Sequence, residues 1–211
     1  MKFWAGFTTV LVAIAGYWYA HRDIQYPPGI LIRAEPGQIL LPPDSPSITH
    51  GAFTLKPLAS FSVDARVLHR RNYRYDKGAD LVPVDLALGW GEMSDQRVLD
   101  RLQITQSMRC YWYKYKMPPP ISPADIVSHS SNMHIIPATN EIASRCKSLR
   151  AGALVHLVGN LVEATGPGNV SWKTSLSRTD TGNGACELFY VEEVKELAVD
   201  QSAQTTIAAA N

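Results

Sequence analysis

Two histidines five residues apart, His129 and His134, lie in the segment Ser128-His-Ser-Ser-Asn-Met-His-Ile-Ile-Pro137. A pair of imidazoles can hold a metal or act as base and acid near neutral pH. A zinc-binding helix spaces its histidines i, i+4, and no carboxylate falls inside this segment, so no metal ligand is assigned. Read as a loop, the segment offers a catalytic histidine, a metal ligand, or two rings that orient the loop by hydrogen bonds to backbone. The last is the plainest reading.

The second polar constellation is Ser175-Leu-Ser-Arg-Thr-Asp-Thr-Gly-Asn-Gly184. It projects Ser177, Arg178 and Asp180 from a strand end into a glycine-rich turn. The amides of Gly182 and Gly184 could cradle an anion beside Arg178. An ordinary turn held by Asp180 and Asn183 uses the same residues. The Asp180-Thr181-Gly182 triplet is no aspartic-protease signature, since Arg178 and Thr179 precede it and no second copy exists. With His129 or His134 as base, Arg178 as anion binder and Asp180 as orienter, the two segments would make a hydrolase only if they converge within hydrogen-bond reach.

A third pattern interleaves cations with aromatics. Arg66, His69, Arg70, Arg71, Arg74 and Lys77 surround Tyr73 and Tyr75, and Arg109, Lys114 and Lys116 alternate with Tyr111, Trp112, Tyr113 and Tyr115. If 108–117 is a strand, Tyr111, Tyr113 and Tyr115 share one face, and Trp112, Lys114 and Lys116 the other. Rings beside cations on a curved sheet suit single-stranded nucleic acid. They equally suit a core-facing tyrosine row with solvated lysines, or a surface meeting anionic headgroups. Arg109, Tyr111, Trp112, Tyr113, Lys114 and Lys116 are the candidate binding residues.

These segments must be positioned by strands. Leu58–Leu68 alternates Phe61, Val63, Ala65, Val67 against Ser60, Ser62, Asp64, Arg66, the period of a half-buried strand. Leu81–Trp90 reads as extended, with Pro83 at an edge or bend. Strands are also expected at 153–163, 171–177 and 186–192, the first two joined by a turn at Gly166-Pro167-Gly168-Asn169. Short helices are expected after Ser94 or Asp95, after Ser122-Pro123, and from Thr139 or Asn140 to about Leu149. The glycine turn at 149–152, the alternation after it and Gly159 resemble the opening of a small barrel such as an OB-fold. The fold class is therefore α+β: a β-rich domain with a curved antiparallel sheet or partial OB-like barrel and two or three short helices.

The ends of the chain differ in character. Phe3–Ala20 carries no charge, and about 27 Å of helix would result, close to a hydrocarbon core of about 30 Å. Phe3 and Trp4 at one end, and Tyr17, Trp18 and Tyr19 at the other, match two membrane interfaces. Residues 1–22 are read as a single-pass signal anchor that contacts the lipid bilayer through 3–20. A cleaved signal sequence with an Ala13-Ile14-Ala15 site, or a buried helix, are the alternatives. Six prolines between Tyr26 and Pro46 make 23–50 a stiff stalk, or a loop packed along the domain edge. The domain occupies 51–198 and a small, polar, disordered tail 199–211.

Across 211 residues the net charge is +1, so a polyanionic partner would need local patches. Cys110, Cys146 and Cys186 form no CxxC, which excludes a zinc ribbon or thioredoxin-type site. They allow one disulfide or three buried thiols.

Three stretches together, Asp85-Leu-Ala-Leu-Gly-Trp-Gly-Glu-Met-Ser-Asp95, Ser131-Asn-Met-His-Ile-Ile-Pro-Ala138 and Ser177-Arg-Thr-Asp-Thr-Gly-Asn-Gly-Ala-Cys-Glu187, resemble a group of bacterial hypothetical proteins. The resemblance covers about residues 60–195. It implies a bacterial or phage origin and assigns no catalysis. The leading expectation is a non-catalytic binding or structural module, tethered to the cytoplasmic membrane and facing outward, with an envelope protein as partner and no cofactor. A tethered hydrolase and a nucleic-acid-binding barrel are the alternatives.

Overall fold

The computed structural model describes Gly16 and residues 22–76, 78–177 and 185–198. The expected anchor at 3–20, Arg178, Asp180 and the tail 199–211 lie outside the described residues. Among the described residues no helix is long and apolar enough to cross a membrane.

The organising element is β3, Phe53–Asn72, a 20-residue strand. Its alternation buries Leu55, Ala59, Phe61, Val63, Ala65 and Val67. It pairs antiparallel with β4, Val84–Gly89, and along its length with β8, Leu154–Gly166. Register shifts at Pro57/Ala59 and Val67/His69 let it bend between these partners. The first is where proline has no amide proton to give the ladder.

β4 pairs with β7, Ser130–Pro137, which runs parallel to β10, Glu187–Glu196, and β10 returns antiparallel to β8. The pairings β3–β4–β7–β10–β8–β3 therefore close a ring. One core cluster takes side chains from all five strands, with Phe61 meeting Phe189 edge to face at 5.1 Å.

Gly159 is where β8 presses against β10. A Cβ there would sit 1.9 Å from the carbonyl oxygen of Tyr190, beside the register shift at Val191/Glu193. Outside the ring, β1 (Gly37–Leu40) and β2 (Ile48–His50) pair with β3, and β9 (Val170–Trp172) pairs with β8.

The helices form where their caps lie. Asp95 caps α1 (Gln96–Leu99), Ser122 with Pro123 behind it opens α2 (Pro123–Ser128), and Thr139 caps α3 (Asn140–Ser148). Ile142, Cys146 and Leu149 bring α3 and its exit into the ring's core cluster.

Between β4 and β7 the chain inserts a hairpin, β5 (Leu102–Ser107) and β6 (Cys110–Tyr115). Its two-residue turn places Met108 at φ 52° and Arg109 at φ 63°, the left-handed pair a tight primed turn needs.

Residues 24–32, at the start of the proline-rich stretch, are bonded to the domain. The Ile24 amide donates to Ala151, Tyr26 to the Gln96 side chain, Gly29 to Asp95, and Leu31 and Ile32 to Ser94 Oγ. Two expectations need correction. From Ser130 on, the segment expected as a loop is the central strand β7, because Asn132 and His134 face the polar pocket under the hairpin while Met133 and Ile135 enter the core. The strand expected at 171–177 ends at Trp172, after which Thr174 Oγ1 accepts from the Leu188 amide and the Ser175 amide donates to the Cys186 carbonyl.

Candidate functional site

The polar chemistry of the chain collects under the hairpin, on the outer side of β4 and β7. Asp85, fully buried, accepts from His134 Nδ1 at 2.9 Å and from Arg109 Nη1 at 3.3 Å. The His134 ring packs 4.8 Å from that of Trp172. Arg109 reaches back from the turn: its guanidinium lies 3.7 Å from the centroid of the Tyr73 ring and bonds both Asp76 oxygens, at 2.6 and 2.8 Å, and the Val82 carbonyl at 2.8 Å.

These bonds hold the turn in its left-handed geometry. Burial, then the Asp85 charge, pushes the Tyr73 phenol well above its ordinary pKa. Asp85 Oδ2 and the Tyr73 hydroxyl are buried with no hydrogen-bond partner among the described residues.

A second buried chain runs beside it. The Gln106 amide bonds His69 Nδ1 at 2.9 Å and donates to Asn132 Oδ1 at 2.5 Å, and Asn132 Nδ2 donates to the Arg109 carbonyl at 3.2 Å. Asn132 also contacts Cys186 Sγ at 3.5 Å, and Ser131 donates to Glu187. Burial pushes the Cys186 thiol up to about 11 and the Cys146 thiol up to about 12, so both are poor nucleophiles.

The candidate residues divide accordingly. His134 is buried with Asp85 as its one hydrogen-bond partner among the described residues, the geometry that a base with an orienting carboxylate would need. His129 lies at the C-terminal end of α2, its Nδ1 donating to the Asp125 carbonyl at 3.0 Å. The two rings therefore sit on different elements with separate partners. Ser177 is tied to Ser175, its amide donating to Ser175 Oγ at 3.0 Å.

His129, Glu92 and Asp125 bring potential ligand atoms within 4.8 Å of one another, and Glu35 Oε1 lies 3.5 Å from His129 Nε2. These are the residues that could hold a divalent cation. Histidine spacing alone concealed them, because the carboxylates come from other segments.

The hairpin sorts the binding candidates. Tyr111, Tyr113 and Tyr115 pack against Leu68, Ala87, Met93, Val98 and Ile126 on the barrel wall. Burial pushes the Tyr111 phenol up to about 12, against the effect of its contact with Ser130 Oγ at 3.4 Å. Arg109 is consumed inside the structure. Trp112, 54% exposed, faces outward with Lys114 and Lys116, opposite Thr105 and Gln103 of β5.

One large concavity adjoins the hairpin's root. About 1080 Å³ in volume, it is floored by β3 from Arg66 to Asn72 and walled by β5, the 147–152 turn and residues 23–25. It is the site the sequence reading missed, although the run Arg66, His69, Arg70, Arg74 pointed to it. No protein family's sequence profile matches this chain, and no curated protein is similar to it.

Proposed function

We propose that this chain is a non-catalytic binding module on an OB-type barrel, held at the cytoplasmic membrane by residues 3–20 and facing the extracytoplasmic side. The five ring strands, counted along the chain, run 1-2-3-5-4 around the barrel, with the third and fifth parallel and a helix between the third and fourth. That is the arrangement of an OB barrel. Such barrels take oligonucleotides on the face of their second and third strands.

Here the inserted hairpin covers that face, and this one observation carries the reading. Asp85, Asn132 and His134, which would line an open face, are all buried. The outward surface is instead the hairpin's far side, with Trp112, Lys114 and Lys116 rimmed by short polar residues. Tryptophan is enriched among the anchors of protein interfaces, which supports reading this patch as a protein-recognition surface.

The test is a photoreactive phenylalanine analogue at position 112 in the full-length, membrane-embedded chain, with Thr165 on the opposite wall as control. A discrete crosslink from 112, lost on Lys114→Glu and absent from 165, supports the reading. Equal crosslinking from both sites, or none, overturns it. The hydrolase reading has one observation in its favour, the His134–Asp85 pair. Among the described residues no serine or cysteine is hydrogen-bonded to that imidazole.

A further inference from the structure

The groove at the hairpin root has a charge imbalance that its own contacts do not relieve. Arg66, Arg70, Arg74 and Lys147 line it, against Asp23 and Asp100. Arg66 is only 2% exposed, yet it is held by neutral groups: it donates to the Ser94 carbonyl at 3.1 Å, to the Ile24 carbonyl at 3.2 Å and to the Gln96 side chain. Its Nε has no partner among the described residues.

Arg70 likewise donates to a carbonyl, that of Leu149, at 2.5 Å. Among the described residues no carboxylate lies within ion-pair distance of Arg66, Arg70, Arg74 or Lys147. Guanidinium groups in excess over carboxylates and in no ion pair, around a hollow large enough for a small ligand, favour an anion with several acceptor oxygens.

Position narrows the anion. Asp23, Ile24 and Gln25, which wall the groove, follow the apolar segment 3–20 by three residues. We infer that the groove binds the phosphodiester headgroup of an anionic phospholipid, pinning the barrel against the leaflet from which its chain emerges. The inference rests on residues 3–20 being a membrane anchor. Basic pockets at the membrane surface meet anionic headgroups at high local concentration. Burial lowers the Arg66 and Arg70 pKa values, and a bound phosphate would restore them, so each would strengthen the other's charged state.

The test titrates the full-length protein, in a neutral detergent, with dioctanoyl phosphatidylglycerol, dioctanoyl phosphatidylcholine, glycerophosphoglycerol and inorganic phosphate. The expected result is saturable binding of the phosphatidylglycerol and of its soluble headgroup. Binding should weaken at least about tenfold in Arg70→Gln/Arg74→Gln, with phosphatidylcholine at least as much weaker. Should the double variant melt early, Lys147→Glu on the surface of α3 serves instead.

Equal binding of phosphatidylcholine, undiminished binding by the variants, or inorganic phosphate binding as tightly as the headgroup overturns the inference. So does displacement of the lipid by a twelve-nucleotide thymidine strand at lower concentration. Carbonate extraction of native membranes reports separately on the anchor. Release of the chain would refute the tether, while headgroup binding would still report on the groove.

Discussion

Asp85 is the residue on which most depends. It is fully buried and faces His134 and Arg109 at once, so Asp85→Asn leaves two groups that were arranged around a negative charge. Breaking one partner of a buried charged pair costs about 3 kcal/mol or more. Urea denaturation should show a loss of that order. Because Arg109 shares the network, Asp85→Asn and Arg109→Gln together should cost clearly less than their sum.

Asp95 sets an acid limit. Burial alone would raise its pKa, but the bonds from the Arg97 side chain and from the amides of Gly29 and Arg97 outweigh burial and hold it below 3.8. A carboxylate depressed in the folded state contributes stability above its unfolded pKa and loses it as pH falls through the folded one. Stability should thus decline below about pH 4, and in Asp95→Asn that part of the decline should be missing from thermal melts taken between pH 2 and 7. For the thiols, iodoacetamide on the native protein at pH 8 should leave Cys146 unmodified by mass spectrometry, while denatured protein is labelled there.

At the level of elements, Gly159 and the hairpin give opposite expectations. A Cβ at Gly159 would overlap the Tyr190 carbonyl, which belongs to the backbone and cannot step aside. Gly159→Ala should therefore cost about 3 kcal/mol or more, or prevent folding, as read by circular dichroism and yield. Trp112→Ala, on the hairpin's open side, should move the melting temperature little.

The same contrast explains what the sequence made legible. Local signals were readable: Ser122 with Pro123, Thr139 and Asp95 all cap the helices their side chains announce, and the alternation from 58 to 68 is a strand. The placement of Tyr111, Tyr113 and Tyr115 on one face and Trp112, Lys114 and Lys116 on the other follows from strand period alone. What stayed hidden was long-range. Ser130–Pro137 is buried on both faces, so its polar residues read as a loop although they form an internal network. Asp85 and His134 are 49 positions apart, and no spacing rule connects them. The arginine groove needed β3, β5 and the 147–152 turn brought together, and each segment alone reads as a solvated basic run.

For the whole molecule, a closed ring leaves the barrel proper no open edge, and the loose parts, β1, β2 and β9, attach to β3 and β8 from outside. Residues 24–32 tie the start of the described chain to α1 and to the turn before β8, so a tether at 3–20 would transmit its position directly to the groove and hairpin root. A reporter fused after residue 198, active only outside the cell, should therefore be active in the full-length protein. Activity of a cytoplasm-specific reporter instead would reverse the assigned orientation and with it the leaflet proposed for the headgroup.

The order of pairing around the ring also has a consequence in time. β3 finds β8 across a separation of about a hundred residues, as at Ser60 and Asn160, and β10, the last strand among the described residues, is wedged between β7 and β8. The ring cannot close until β10 has left the ribosome, and such distant pairings form in milliseconds to seconds and not microseconds. Chains stopped before Glu187 would carry two bare strand edges side by side, an invitation to pair with one another. Synthesis of this protein is thus a race that only the complete chain can win, and stalled or clipped products should be found in aggregates or cleared by proteases.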